Sequence, residues 1–144
     1  MFAADAALTL ESLRIADNAV SFGALLEPDG NNGALTLRDV VIEGNTLSPF
    51  DPALFWEDAA LRLERVTFRD MVGAAADINS RSTVAAVLDD VTFDNIDSGA
   101  EAVLRLDGGS VTGLNGFDLV ADDTAFVILA ANLGPLSVAN LVVD

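Results

Sequence analysis

One pattern, apolar-x-apolar-x-x-apolar-x-apolar, returns along this chain at nearly constant spacing, and such a period restricts the fold more tightly than any composition figure. It reads Leu8-Thr9-Leu10-Glu11-Ser12-Leu13-Arg14-Ile15, Leu35-Thr36-Leu37-Arg38-Asp39-Val40-Val41-Ile42 and Leu61-Arg62-Leu63-Glu64-Arg65-Val66-Thr67-Phe68. It continues as Ala86-Val87-Leu88-Asp89-Asp90-Val91-Thr92-Phe93, a degenerate Thr112-Gly113-Leu114-Asn115-Gly116-Phe117-Asp118-Leu119, and Leu136-Ser137-Val138-Ala139-Asn140-Leu141-Val142-Val143. The starts at 8, 35, 61, 86, 112 and 136 are 27, 26, 25, 26 and 24 residues apart. Four inward positions in six copies make 24 sites, and Thr112 alone among them is not apolar. Two apolar residues at period two, a two-residue break and two more at period two describe a strand, a sharp bend and a second strand. Enrichment in Val, Ile, Phe and Thr favours strands over helices. The spacing therefore predicts one all-β domain over 1–144, a parallel β-solenoid of about six coils, each 24–27 residues long.

Stacking makes a second, independent demand. Equivalent residues of adjacent coils lie about 4.8 Å apart, so charges in one row should alternate in sign. The first bend position runs Glu11, Arg38, Glu64, Asp89; the second runs Ser12, Asp39, Arg65, Asp90; the row just past the second strand runs Ala16, Glu43, Arg69, Asp94. Arg38, Arg65 and Arg69 each fall between two acids in their row, which assigns these arginines to setting register across exposed pairs. Connectors carry a second apolar cluster for the remaining wall: Phe22 to Leu26, Leu54-Phe55-Trp56, Ala74 to Ile78, Ala102 to Leu106 and Ala125 to Leu129. The connector from Glu43 to Ala60, with the only Trp and two of the four Pro, is expected to bulge away from the stack.

The strings LTLRDVVIEGN, from Leu35 to Asn45, and VLDDVTFDN, from Val87 to Asn95, resemble coils of the right-handed parallel β-helix superfamily that includes pectate lyases, surface adhesins and viral tailspikes. The resemblance covers roughly residues 8–144 and supplies the right-handedness, since the period alone fits either hand. It implies fold more than function, because the superfamily hosts lyases, hydrolases, adhesins and structural shafts. The Asp89-Asp90 pair is similar to the hydrolase Asp pair, but the companion Asn-Thr-Asp, Gly-His-Gly and Arg-x-Lys motifs are absent. The adhesin or structural type is therefore expected rather than the lyase.

Composition bears on chemistry and partners. Twenty-three acidic residues against seven basic ones, all of them Arg, give a net charge of −16. That field repels nucleic acid and anionic lipid, so neither is an expected partner. Zero Cys removes thiol catalysis and thiolate metal sites, and zero His removes the commonest general base. No catalytic or cofactor-binding residue is expected. The candidate metal site is a calcium cluster of Asp94, Asp97, Asp118, Asp122 and Asp123, in which Asp97 and Asp123 should stack in adjacent coils and repel unless a cation intervenes.

No apolar run reaches the roughly 18–20 residues of a membrane-spanning helix, so no membrane insertion is expected. The start Met1-Phe2-Ala3-Ala4-Asp5 shows no secretory signal, although an extracellular or cell-surface location is the expectation for an adhesin-like module. Neither Met1 to Ala7 nor Asp144 supplies an evident cap, which points to neighbouring coils of a longer surface protein or to head-to-tail stacking through uncapped ends. The expected function is a non-catalytic structural or interaction module whose partner is another protein or a second copy. The alternative is a calcium-assisted carbohydrate-binding or polysaccharide-cleaving β-helix.

Overall fold

The computed structural model describes residues 7–27, 33–48, 51–57, 60–79, 85–98, 102–107, 110–115, 118–120, 126–131, 138–139 and 142–143. Every regular element among them is a strand. In chain order these are β1 (Leu8–Glu11), β2 (Arg14–Ala16), β3 (Ala19–Val20), β4 (Leu35–Glu43), β5 (Thr46–Leu47), β6 (Leu54–Glu57), β7 (Leu61–Val72) and β8 (Ala76–Asn79). They continue with β9 (Ala85–Asp97), β10 (Ala102–Asp107), β11 (Ser110–Asn115), β12 (Asp118–Val120), β13 (Phe126–Ala131), β14 (Val138–Ala139) and β15 (Val142–Val143).

All pairings are parallel and fall into two sheets. The first runs β1-β4-β7-β9-β11-β14, with the short strands β2, β3, β5, β12 and β15 extending its rungs around a curl; the second runs β13-β10-β8-β6. The result is a parallel sheet curled into a half-barrel, compatible with a β-solenoid. A bridge from Leu26 to Leu54 brings the first rung to the second sheet. One row there reads Leu26, Leu54, Ala76, Leu104, Ile128. The connector clusters thus do build the second wall. The connector from Glu43 to Ala60 does not bulge over its described residues 51–57: β6 pairs with β8, and Pro52, Ala53, Leu54 and Trp56 are buried. An indole offers too much apolar surface to leave in water when a neighbouring strand can cover it.

Register follows the spacing of the repeat. Leu8, Leu35, Leu61 and Ala86 share one row, Leu10, Leu37, Leu63 and Leu88 another, and Ile15, Ile42, Phe68 and Phe93 a third. The Phe68 and Phe93 rings stack with centroids 5.2 Å apart. The degenerate copy departs by one residue: Val111, not Thr112, stands opposite Ala86, and pairing then shifts so that Leu114 meets Leu88. An extra residue at Thr112-Gly113 is taken up as a bulge, a place where glycine inside a strand is common. The apolar row therefore passes through Val111.

The two-residue break is a left-handed corner. Ser12, Asp39, Arg65 and Asp90 take φ of 53°, 53°, 51° and 56°. Five residues later comes a second such row, Asp17, Gly44, Asp70 and Asn95, at 59°, 63°, 51° and 52°. Asp, Asn and Gly tolerate this region, which is why they recur here. At the second corner Asn45 is buried and hydrogen-bonded through both ends of its amide: its Nδ2 donates to the Ile15 carbonyl at 3.1 Å, and its Oδ1 accepts from the Asn18 backbone N–H and Nδ2, both at 3.0 Å.

Candidate functional site

The outer face of the first sheet carries a ladder of charge. Arg38 Nε donates to Glu64 Oε2 at 2.6 Å, and its Nη1 lies 3.6 Å from Glu11 Oε1 across the other rung. Arg65 grips both oxygens of Asp39 side-on, its Nε donating to Oδ1 at 2.6 Å and its Nη2 to Oδ2 at 2.9 Å. Arg69 donates to Glu43, its partner in the row. These arginines take up the places that row alternation demands.

Two further arginines join them. Arg14 also donates to Glu43, and Arg62 to Glu64. Each carboxylate therefore sits at the centre of an Arg-Glu-Arg triad and is nearly covered, at 8% and 9% exposure for Glu43 and Glu64, rather than forming an exposed pair as the sequence reading expects. The signal for this was present: Arg62 and Glu64 stand two apart on one strand face, and Arg14 lies diagonal to Glu43 across the rung. Hydrogen bonds from Arg69 and then Arg14 hold the Glu43 carboxyl below the usual range, and those from Arg38 and then Arg62 do the same for Glu64. The Arg65 hydrogen bond lowers Asp39 likewise. Carboxylates locked between guanidinium groups are poor general bases.

Of the five candidate calcium ligands, Asp94, Asp97 and the backbone of Asp118 fall among the described residues. Asp94 stands opposite Arg69, and Asp97 opposite Val72. The Asp118 backbone pairs with Thr92 and Val142, which puts Val120, not Asp118, opposite Asp94. Asp122 and Asp123 lie outside the described residues, so the stack of Asp97 on Asp123 does too. Among the described residues no three acidic side chains cluster in a way that would hold a metal.

The first rung differs from those that follow. Leu35, Leu37, Val40 and Ile42 of the second rung are at most 2% exposed, and so are their counterparts in the third and fourth. Leu8, Leu10, Ile15, Val20 and Leu25 are half-buried, and Leu13, equivalent to Val40, is 39% exposed. β1 stands at the edge of the first sheet. Among the described residues, the same inward pattern thus meets a neighbouring rung on one side only. No family model, curated protein or solved structure matches this chain.

Proposed function

We propose that this chain is a non-catalytic structural or interaction module: a right-handed parallel β-helix of about six coils, adhesin-like and extracellular, that docks through the edge of its first rung. What carries the reading is the contrast in burial between Leu8, Leu10, Leu13 and Ile15 and their nearly inaccessible equivalents one rung on. A strand edge with an apolar row beneath it is a template for a further parallel rung. A second copy can supply that rung, since its own repeat carries the same inward pattern. Support for a structural use of the charged face comes from Glu43 and Glu64, each already gripped by two arginines. Asp94, the candidate metal ligand opposite Arg69, has a cation beside it in its own row.

Sedimentation velocity across a wide concentration range tests the proposal. The chain is expected to form larger species as concentration rises, and Leu13→Glu is expected to return it to monomer with an unchanged circular-dichroism spectrum, because Leu13 is already partly in water. A strict monomer at the highest attainable concentration contradicts docking between copies. Calcium-dependent association or a large calcium-dependent rise in melting temperature would favour the carbohydrate-directed alternative.

A further inference from the structure

On the second wall, the segments leading into the Leu26–Leu54 bridge lie one over the other and leave a cleft of about 290 Å³, lined by Phe22, Gly23, Glu27, Asp51, Pro52 and Phe55 together with Ala24. Gly23 takes φ +81°, a left-handed turn directly after Phe22, and the Phe22 ring is 90% exposed. The backbone N–H of Phe55 donates to the Leu26 carbonyl at 3.0 Å, which ties the Phe55 strand to the residue before Glu27. The Glu27 carboxylate comes within 3.7 Å of where a Cβ would stand on Gly23, so it lies beside this turn in the lining.

The lining chemistry is one-sided. Among the described residues it offers two aromatic faces and two carboxylates, and none of these described side chains donates a hydrogen bond. The arginines whose side chains are described, Arg14, Arg38, Arg62, Arg65 and Arg69, are all engaged with Glu11, Asp17, Asp39, Glu43 or Glu64. Among the described residues, therefore, neither Glu27 nor Asp51 meets a cation. We infer that this cleft binds a lysine or arginine side chain of a basic partner protein, with the cation over the Phe22 and Phe55 rings and paired to Glu27 and Asp51. A guanidinium or ammonium on an apolar stem matches both halves of the lining at once. A neutral sugar could donate its hydroxyls to Glu27 and Asp51, but it would leave both negative charges uncompensated, whereas a cation neutralises them. The net charge of −16 adds a long-range field that draws a basic partner in.

Phe22 to Glu27 belong to the first rung, yet the inference does not require docking there, and a monomeric chain titrated with peptide tests the cleft separately. A blocked five-residue peptide, Gly-Gly-Arg-Gly-Gly, is titrated at constant ionic strength while the phenylalanine ring resonances are followed by NMR. Its lysine and citrulline analogues serve as the second cation and the uncharged isostere. Saturable shifts of the Phe22 and Phe55 rings are expected with arginine and lysine and not with citrulline. Phe22→Ala, at a position already in water, and the double variant Glu27→Gln with Asp51→Gln are each expected to weaken binding about tenfold. No saturable shift, equal binding of the citrulline peptide, equal binding by either variant, or binding of a neutral oligosaccharide at the same rings in place of the cation would each overturn it.

Discussion

At Gly73 the backbone takes φ +104°, and a Cβ built there would stand 2.8 Å from the Leu47 Cβ. Gly44, at φ +63°, is also left-handed, but its nearest obstacle is the Asp17 Oδ1 at 2.6 Å, the end of an exposed side chain that can swing away. The two glycines look alike in sequence and differ in what surrounds them. Gly44→Ala is expected to cost about 1 kcal/mol, the backbone term alone. Gly73→Ala adds a clash with a buried side chain and should cost roughly 2–3 kcal/mol. Urea midpoints of the two variants check the order, and a larger loss at Gly44 would refute it. The left-handed corners are partly legible in sequence, since Ser12, Asp39 and Asp90 belong to types that accept such φ values. Arg65 does not, and its place in that row rests on the neighbouring rung, where Asp39 accepts from its Nε and Nη2.

Strands β4, β7 and β9 stack with their inward apolar rows in register, and with Arg38, Arg65 and Arg69 each beside an acid of the neighbouring rung. The ladder gives that stack a pH dependence whose sign can be worked out. Glu43, Glu64 and Asp39 all have folded-state values below their ordinary ones. Their contribution is therefore fully present above the ordinary carboxylate range, about pH 4–4.5, and is lost as pH falls through the depressed folded values. General acidification also relieves the repulsion of a strongly anionic chain, so the wild-type curve alone mixes two opposing effects. The difference between wild type and the double variant Glu43→Gln with Glu64→Gln isolates the ladder. Thermal melts from pH 7 to pH 2.5 should show the wild type more stable at neutral pH and the gap closing below about pH 4. A gap that stays constant to the lowest pH would show that these carboxylates contribute no linked protons. The row positions of Arg38, Arg65 and Arg69 could be read from spacing. The second grip on each glutamate, from Arg14 and Arg62, depends on diagonal and same-face neighbours that counting along single rows leaves out.

Across the whole molecule, 16 uncompensated negative charges accompany a long, continuous apolar core. Salt acts on these in opposite directions: it weakens the exposed arms of the ladder and screens the larger self-repulsion. Between 10 mM and 1 M NaCl the Debye length falls from about 30 Å to about 3 Å, so repulsion between separate rungs is nearly abolished. The melting temperature is expected to rise over that range. A fall would mean that the Arg-Glu-Arg triads outweigh the net charge, and the acidity would then have to be read as local pairing rather than as a global field. The half-buried first rung also belongs to this scale, because its exposure is set by which surfaces the stack leaves uncovered and not by any property of Leu8 or Leu10 themselves.

The strand rows, their parallel order and the placing of Arg38, Arg65 and Arg69 beside acids of neighbouring rungs were determined by the sequence itself, because a repeat of nearly constant length forces each residue to meet its equivalent one period away. The placement of Val111 in the row, the burial of Trp56, the second grip on Glu43 and Glu64 and the buried Asn45 were decided only in the tertiary structure. Each depends on packing between segments that the period does not describe: a bulge that absorbs one residue, a connector that finds a neighbouring strand, a diagonal across a rung, and a corner where one side chain satisfies another's backbone. The cleft beside Phe22 and the uneven exposure of the first rung arise in the same way, from surfaces that exist only once the rungs have been stacked.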